Sequence, residues 1–277
     1  MRESDYLPLV QLALREDLGE LGDITSQAVI PEGERSATLW SKDVGVLAGG
    51  EVFTAVFHAV DPDVRVSFFL RDGEDLGRGD RVAAVRGSAL SLLSAERISL
   101  NFISFLSGIA TATRALASLA RESGRAVILD TRKTLPGWRA LSKYAVTVGG
   151  GRNHRQGLYD MALIKDNHVD AAGSVEAAVR RVRERWGTRF AVEVECRNGD
   201  EVASALAAGA DIIMLDNMPA DAMREQVLRI AGRAKVEASG NMTRETIPAA
   251  SASGVDFISV GAITHSVRSF DFSLKID

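Results

Sequence analysis

The stretch that decides how this chain is read runs from Asp130 to Val169, DTRKTLPGWRALSKYAVTVGGGRNHRQGLYDMALIKDNHV. Between Thr131 and Lys165 it carries Arg132, Lys133, Arg139, Lys143, Arg152, Arg155 and Lys165 against one acid, Asp160, in a chain of formal net charge -4. A basic island in a mildly acidic protein points to a local anionic ligand. One apolar run, Ala126 to Leu129, leads into Thr131, Arg132 and Lys133; another, Met161 to Ile164, leads into Lys165 and Asp166. Charges at the carboxyl ends of apolar strands are where α/β proteins build their sites.

Outward from the island, strand-like and helix-like patterns alternate. The strand-like runs end near Arg132, Asp166, Cys196, Asp216, Gly240 and Gly261, with helical spacing in 175–186, 201–208, 220–231 and 245–253. Repeated βα units imply a parallel sheet with helices outside, and six runs leave an incomplete barrel and a doubly wound sheet both open. Towards the N-terminus the pattern differs. Ala37–Trp40, Val44–Ala48, Val64–Leu70 and Arg81–Val85 read as strands of a small sheet with a helix near Glu51–Ala59. Tyr6–Leu14 has helical spacing, ended in EDLGELGDITS by Gly19, Gly22 and Asp23-Ile24-Thr25. Leu90–Ala120 reads as a long helix carrying Arg97 and Asn101, with a break at Ser107-Gly108, and the tail Asp271–Ile276 alternates like a strand.

Composition narrows the functional classes. Hydrophobic residues make up 46% and charged residues 25% of 277 positions. No uninterrupted apolar run approaches the roughly 20 residues that span a bilayer, so no membrane is expected. The first residues are acidic and amphipathic, unlike a signal peptide, and the expected compartment is the cytoplasm. One cysteine, Cys196, excludes an internal disulfide and a cysteine-clustered zinc site, and it reads as a packing residue. A pI near 5.7 without arginine-aromatic interleaving argues against nucleic acid as a partner.

The rim residues suggest three functions. Arg132, Arg155 and His154 could clamp carboxylates, because a guanidinium grips a carboxylate through two parallel hydrogen bonds. Glu195 and Asp216 end neighbouring strand-like runs and offer hard oxygens suited to Mg2+, which bridges one or two carboxylates to substrate phosphate. Ser239-Gly240-Asn241 and Gly261 follow the last two runs, where small residues let backbone N–H groups approach a phosphate. Each also has a plain structural reading as an ion pair, cap or turn.

The segments TRKT, PG, KYAV, GGG, NHR, GL and IKDNH, in this order and spacing, resemble the quinolinate phosphoribosyltransferases, also called carboxylating nicotinate-nucleotide pyrophosphorylases. The likeness extends through EDLGELGDITS, AERISLNFISFLSGIATAT, VEVE, MLDN, EASGN and GVDFISVGAITHS, and departs visibly at Trp138, where a smaller apolar residue is usual. The resemblance implies an N-terminal α/β sandwich domain over 1–105, joined by the tail 266–277, and an open, seven-stranded α/β barrel over 106–265. It implies a homodimer that transfers the phosphoribosyl group of phosphoribosyl pyrophosphate to quinolinate with decarboxylation, giving nicotinate mononucleotide, CO2 and pyrophosphate in NAD biosynthesis. In that family Lys133, Lys165, Glu195 and Asp216 would be catalytic, the two acids holding Mg2+. Arg97, supplied across the subunit interface, would bind substrate together with Arg132, His154, Arg155, Lys165, Ser239, Gly240, Asn241, Gly261 and His265. Competing readings are a Schiff-base aldolase using Lys165, an anion-binding regulatory protein, and a related pyrophosphorylase associated with molybdenum uptake; IKDNH and NHR favour the quinolinate branch.

Overall fold

The computed structural model describes all of residues 1–277 and divides into two compact units, one made of 1–114, 134–150 and 263–277, the other of 115–133 and 151–262. The strands are β1 (Glu34–Ser41), β2 (Gly45–Val46), β3 (Arg65–Phe68), β4 (Asp75–Leu76), β5 (Arg81–Ser88), β6 (Val127–Leu129), β7 (Ala162–Ile164), β8 (Val192–Cys196), β9 (Ile212–Asp216), β10 (Lys235–Ser239), β11 (Phe257–Ser259) and β12 (Phe272–Ile276).

In the first unit β12, β1, β5 and β3 form one antiparallel sheet in that order. Along β1 the side chains of Ala37, Leu39 and Ser41 are buried while those between are not, the period of two that a half-buried strand requires. Helix Gly50–Val60 buries Val52, Phe53, Val56 and Phe57 as one stripe. Asp72 accepts from the N–H groups of Gly49 (2.8 Å) and Gly50 (3.1 Å) at the start of this helix and from Tyr144 Oη (2.6 Å). The tail returns here, as the resemblance implied: β12 lies against β1 from Ala37↔Ile276 to Ser41↔Phe272. Asp23 caps helix Ile24–Val29 by accepting from Ser26 N at 2.9 Å, so EDLGELGDITS is a helix exit, a glycine turn and a new helix start.

Two expectations need correction. The break at Ser107-Gly108 does not occur, and one helix runs unbroken from Ala89 to Ser123. The Ser107 hydroxyl bonds the Ala48 N–H and carbonyl at 3.0 and 3.1 Å, while Gly108 is required because a Cβ there would collide with the Arg268 carbonyl oxygen. The same helix is long and apolar enough to cross a bilayer although polar residues interrupt its apolar run, and 56% of its most apolar window is buried inside the protein. Its apolarity belongs to a core, where Leu92, Ile103, Leu106 and Ile109 are fully enclosed.

In the second unit all six strand-like runs become strands of one parallel sheet, ordered β6-β11-β10-β9-β8-β7. The first strand neighbours the last and the rest follow in sequence, an order consistent with a barrel opened between β6 and β7 and unlike the central reversal of a doubly wound sheet. The sheet has six strands where the resemblance implied seven; on the free side of β6 stands one isolated bridge, Leu129↔Arg152, in which Arg152 N donates to Ile128 O (2.9 Å) and Asp130 N to Arg152 O (3.2 Å). Cys196 is fully buried at the end of β8, as a packing residue should be.

Candidate active site

Parallel strands place all their carboxyl ends on one rim. Arg132 and Lys133 follow β6, Lys165 follows β7, Glu195 and Asp216 lie at the ends of β8 and β9, Ser239-Gly240-Asn241 closes β10, and Gly261 comes after β11. These residues, with His154 and Arg155, belong to the second unit; Arg97 and His265 belong to the first. Arg97 is exposed on helix Ala89–Ser123, where it lines a cleft with Leu9, Glu16, Asp17, Phe102 and Trp138. Trp138, the departure from the family pattern, stacks on Phe102 at 4.8 Å and meets Phe105 edge-on at 5.2 Å. His265 ends helix Ala262–His265, its Nδ1 2.8 Å from Ser266 Oγ.

On the rim, Lys165 Nζ pairs with Glu195 Oε2 at 2.5 Å and ties the ends of β7 and β8 together. The backbone of Lys165 opens helix Asp166–Ala172, donating its N–H to His168 Nδ1 at 2.9 Å, which accounts for the histidine of IKDNH. Beside it, Asp216 Oδ2 accepts from Asn217 Nδ2 at 2.8 Å, and Asn217 Oδ1 accepts from Asn241 Nδ2 at 3.3 Å. Asn217, Gly240 and Asn241 all have left-handed backbones, φ 53°, 95° and 49°. Asparagine tolerates that region better than other side chains, and glycine is needed at 240 because a Cβ would collide with the Asn217 amide. The carboxylate of β9 and the turn after β10 are thus one hydrogen-bonded assembly.

Glu195 and Asp216 supply hard carboxylate oxygens on neighbouring strands, a donor set that fits a divalent cation retaining waters and bound to phosphate. They do not form a closed cage. The group of three potential ligand atoms within 4.8 Å of one another lies elsewhere, at His154, Glu193 and Glu237.

That cluster contains two residues the sequence reading missed. Strand alternation puts Glu193 on the same face of β8 as Glu195, and Glu237 on the same face of β10 as Ser239, one step in from the rim. Both are buried, at 0% and 1% exposure. His154 Nε2 lies 3.0 Å from Glu193 Oε2 and 3.6 Å from Glu237 Oε2. Burial pushes both carboxyls well above the usual range, and the neighbouring Glu193 charge pushes Glu237 further, so the pair retains a proton near neutrality. The sequence signal was available, as an acid two residues before a rim acid in a buried strand.

Asp130, also fully buried, accepts from His154 N at 2.9 Å, and His154 Nδ1 accepts from Arg155 N at 2.8 Å. The Arg155 guanidinium reaches the Met161 carbonyl at 3.4 Å. Desolvation lowers its pKa, the charge of Arg132 lowers it further, and Glu193 opposes them. Two guanidinium groups whose charges act on each other in a partly desolvated place have the chemistry to receive an anion bearing more than one negative charge.

Comparison with known proteins places these residues in context. The family model described as quinolinate phosphoribosyl transferase, N-terminal domain, matches residues 23–107, and that of the C-terminal domain matches 109–275. The chain is similar to quinolinate phosphoribosyltransferase [decarboxylating] 2, mitochondrial, of Nicotiana glauca, at 42% identity over 99% of this chain and 82% of the relative. It is 43% identical to the probable nicotinate-nucleotide pyrophosphorylase [carboxylating] of Bacillus subtilis, over 94% of this chain and 90% of the relative. Among solved structures, NadC from Streptococcus pyogenes superposes with a TM-score of 0.96 at 40% identity, and the nicotinate-nucleotide pyrophosphorylase from Francisella tularensis with 0.97 at 38%; each covers 100% of this chain and 98% of the other.

Proposed function

The chain belongs to the quinolinate phosphoribosyltransferase family, and from that premise we propose that its second unit joins the ring nitrogen of quinolinate to the ribose of phosphoribosyl pyrophosphate and then removes the adjacent carboxylate. The observation that carries this reading is the rim of the parallel sheet, where Arg132, Lys133, Lys165, Glu195, Asp216 and Ser239-Gly240-Asn241 stand together at the carboxyl ends of its strands. A dicarboxylate satisfies the cations of Arg132 and Arg155. Arg132, Arg155 and Lys165 would serve quinolinate, with His154 accepting from the Arg155 backbone N–H behind them, and Lys133, Ser239, Gly240, Asn241 and Gly261 would serve the phosphates.

In the first step the pyridine nitrogen forms a bond to the anomeric carbon as the carbon–oxygen bond to pyrophosphate breaks, the electron pair leaving with pyrophosphate. Glu195 and Asp216 face the positive charge that develops on the ribose, and Lys133 the negative charge on the leaving group. Mg2+ held by the two acids would supply further neutralisation of pyrophosphate. The nitrogen is now quaternary. The carbon–carboxylate bond beside it breaks, the ring takes up the electron pair, CO2 departs, and a proton replaces it. Much of the acceleration comes from the arginines holding one reactant in line with the other.

The proposed assembly is a homodimer in which Arg97, exposed on its own helix, completes the neighbouring subunit's site, and the proposed compartment is the cytoplasm. Arg97→Ala and Lys133→Ala proteins, each inactive, should regain activity when their subunits are exchanged; well-exchanged mixtures without activity would return Arg97 to its own chain. The function itself is tested by supplying quinolinate, phosphoribosyl pyrophosphate and Mg2+. Pyrophosphate and CO2 should appear in equal amounts, nicotinate should react far more slowly, and chelator should stop turnover. Equal rates with the two acids would sink the dicarboxylate seat.

A further inference from the structure

We propose that Glu193 and Glu237 are positioning residues for quinolinate: from beneath the rim they fix the ring of His154, and through it the backbone of Arg155, so that the guanidinium meets the substrate carboxylate. The inference rests on the assignment of Arg155 to quinolinate. Its own ground is the hydrogen-bond pattern at His154 and Arg155, ahead of the part of the segment that Asp160 ties by accepting from Gln156 N (2.7 Å) and Gly157 N (3.0 Å).

Residues 153–161 lie outside any helix or strand, with only the bridge at Arg152 before them. An irregular segment keeps one shape only if its polar groups are held by its surroundings. Asp130 holds the His154 N–H at 2.9 Å. The Arg155 N–H points at His154 Nδ1, 2.8 Å away. A backbone N–H can only donate, so Nδ1 must present its lone pair and the ring proton resides on Nε2. That nitrogen lies 3.0 Å from Glu193 Oε2 and 3.6 Å from Glu237 Oε2, an electrostatic contact at ion-pair distance whose angles fall short of a hydrogen bond. With the opposite tautomer, two N–H groups would face each other at Arg155 and two lone pairs would face each other at Glu193. The acids therefore select the tautomer, and the tautomer selects the position of the Arg155 backbone.

At 0% and 1% exposure neither acid can touch a substrate on the rim, which separates this role from that of Glu195 and Asp216. The same pattern argues against a metal among these three side chains, although their ligand atoms lie within 4.8 Å. A metal would need the Nε2 lone pair while Nδ1 is already accepting, leaving the ring without a proton.

The test has two readouts on the full-length enzyme. In long-range 1H–15N spectra at about pH 7.5, the resonance lost in His154→Gln should show the Nε2–H tautomer in the wild type. In kinetics, Glu193→Met removes the acceptor at similar volume and should raise the quinolinate KM roughly tenfold, with the phosphoribosyl pyrophosphate KM little changed. Glu193→Gln keeps an acceptor oxygen and should restore most of the loss. A wild-type Nδ1–H tautomer or a metal-shifted Nε2 would overturn the proposal, as would a folded Glu193→Met enzyme with unchanged quinolinate KM or equal losses for both substrates. Should Glu193→Met not fold, the wild-type spectrum and the Glu193→Gln kinetics still decide. An enzyme inactive on quinolinate but with the Nε2–H ring would sink the functional reading and leave the cluster standing.

Discussion

Arg155 is held where burial and the charge of Arg132 both work against its own charge, a cost that a bound carboxylate relieves. Charge-assisted hydrogen bonds of this kind are worth about 1.5 to 3 kcal/mol, and about 1.4 kcal/mol is one decade of affinity. Arg155→Ala should accordingly raise the quinolinate KM at least about tenfold, and Arg155→Lys should recover only part, since an ammonium lacks the planar fork. An Arg155→Ala enzyme with unchanged KM and melting temperature would make this a surface arginine. On the opposite part of the rim, Gly240→Ala places a Cβ against Asn217 in a backbone at φ 95°. Because Asn217 also holds Asp216, the phosphoribosyl pyrophosphate KM should rise more than the quinolinate KM. Rim residues were legible in the sequence because they follow apolar runs; Glu193 and Glu237 were not, because they interrupt those runs, and only the period of two that links them to Glu195 and Ser239 gives them away.

The elements were legible where one periodicity acted alone. All six apolar runs became strands, since a strand buried on both faces needs little beyond its own side chains. The bridge at Arg152 was not visible, because it is defined by its partner β6 and leaves no run of its own. Gly108 failed as a break for a similar reason: its role is set by a carbonyl 160 positions away in sequence, at Arg268. That contact reverses an ordinary expectation. Alanine stabilises a helix interior by about 1 kcal/mol relative to glycine, but a Cβ forced against backbone typically costs about 1–3 kcal/mol. Gly108→Ala should therefore lower the melting temperature, and a rise would show that the helix and the Arg268 turn can separate freely.

For the whole molecule, the units draw on distant parts of the sequence, with 134–150 joining the first unit from between segments of the second. Contacts of such long sequence separation leave no mark in any local window. The buried acids, by contrast, make a prediction that only global stability can report. Glu193 and Glu237 have folded pKa values raised above the ordinary 4.5, chiefly by burial. Between that value and their folded values, the native state binds more protons than the unfolded chain, so stability must fall as pH rises. The carboxyls shifted the other way, Asp5, Asp23, Glu176, Glu201 and Glu245, lose their contribution only as pH falls below the ordinary range, outside this window. A Glu193→Gln, Glu237→Gln protein carries no such proton demand. Its melting temperature should gain on the wild type steadily from about pH 5 to about pH 8. One pKa unit corresponds to about 1.4 kcal/mol, and a protein of this size moves about 2–4 °C per kcal/mol, so the gap between the two curves should widen by at least about 3 °C. Parallel curves across that range would mean that the two carboxyls titrate as they do in water, which their burial on β8 and β10 does not allow.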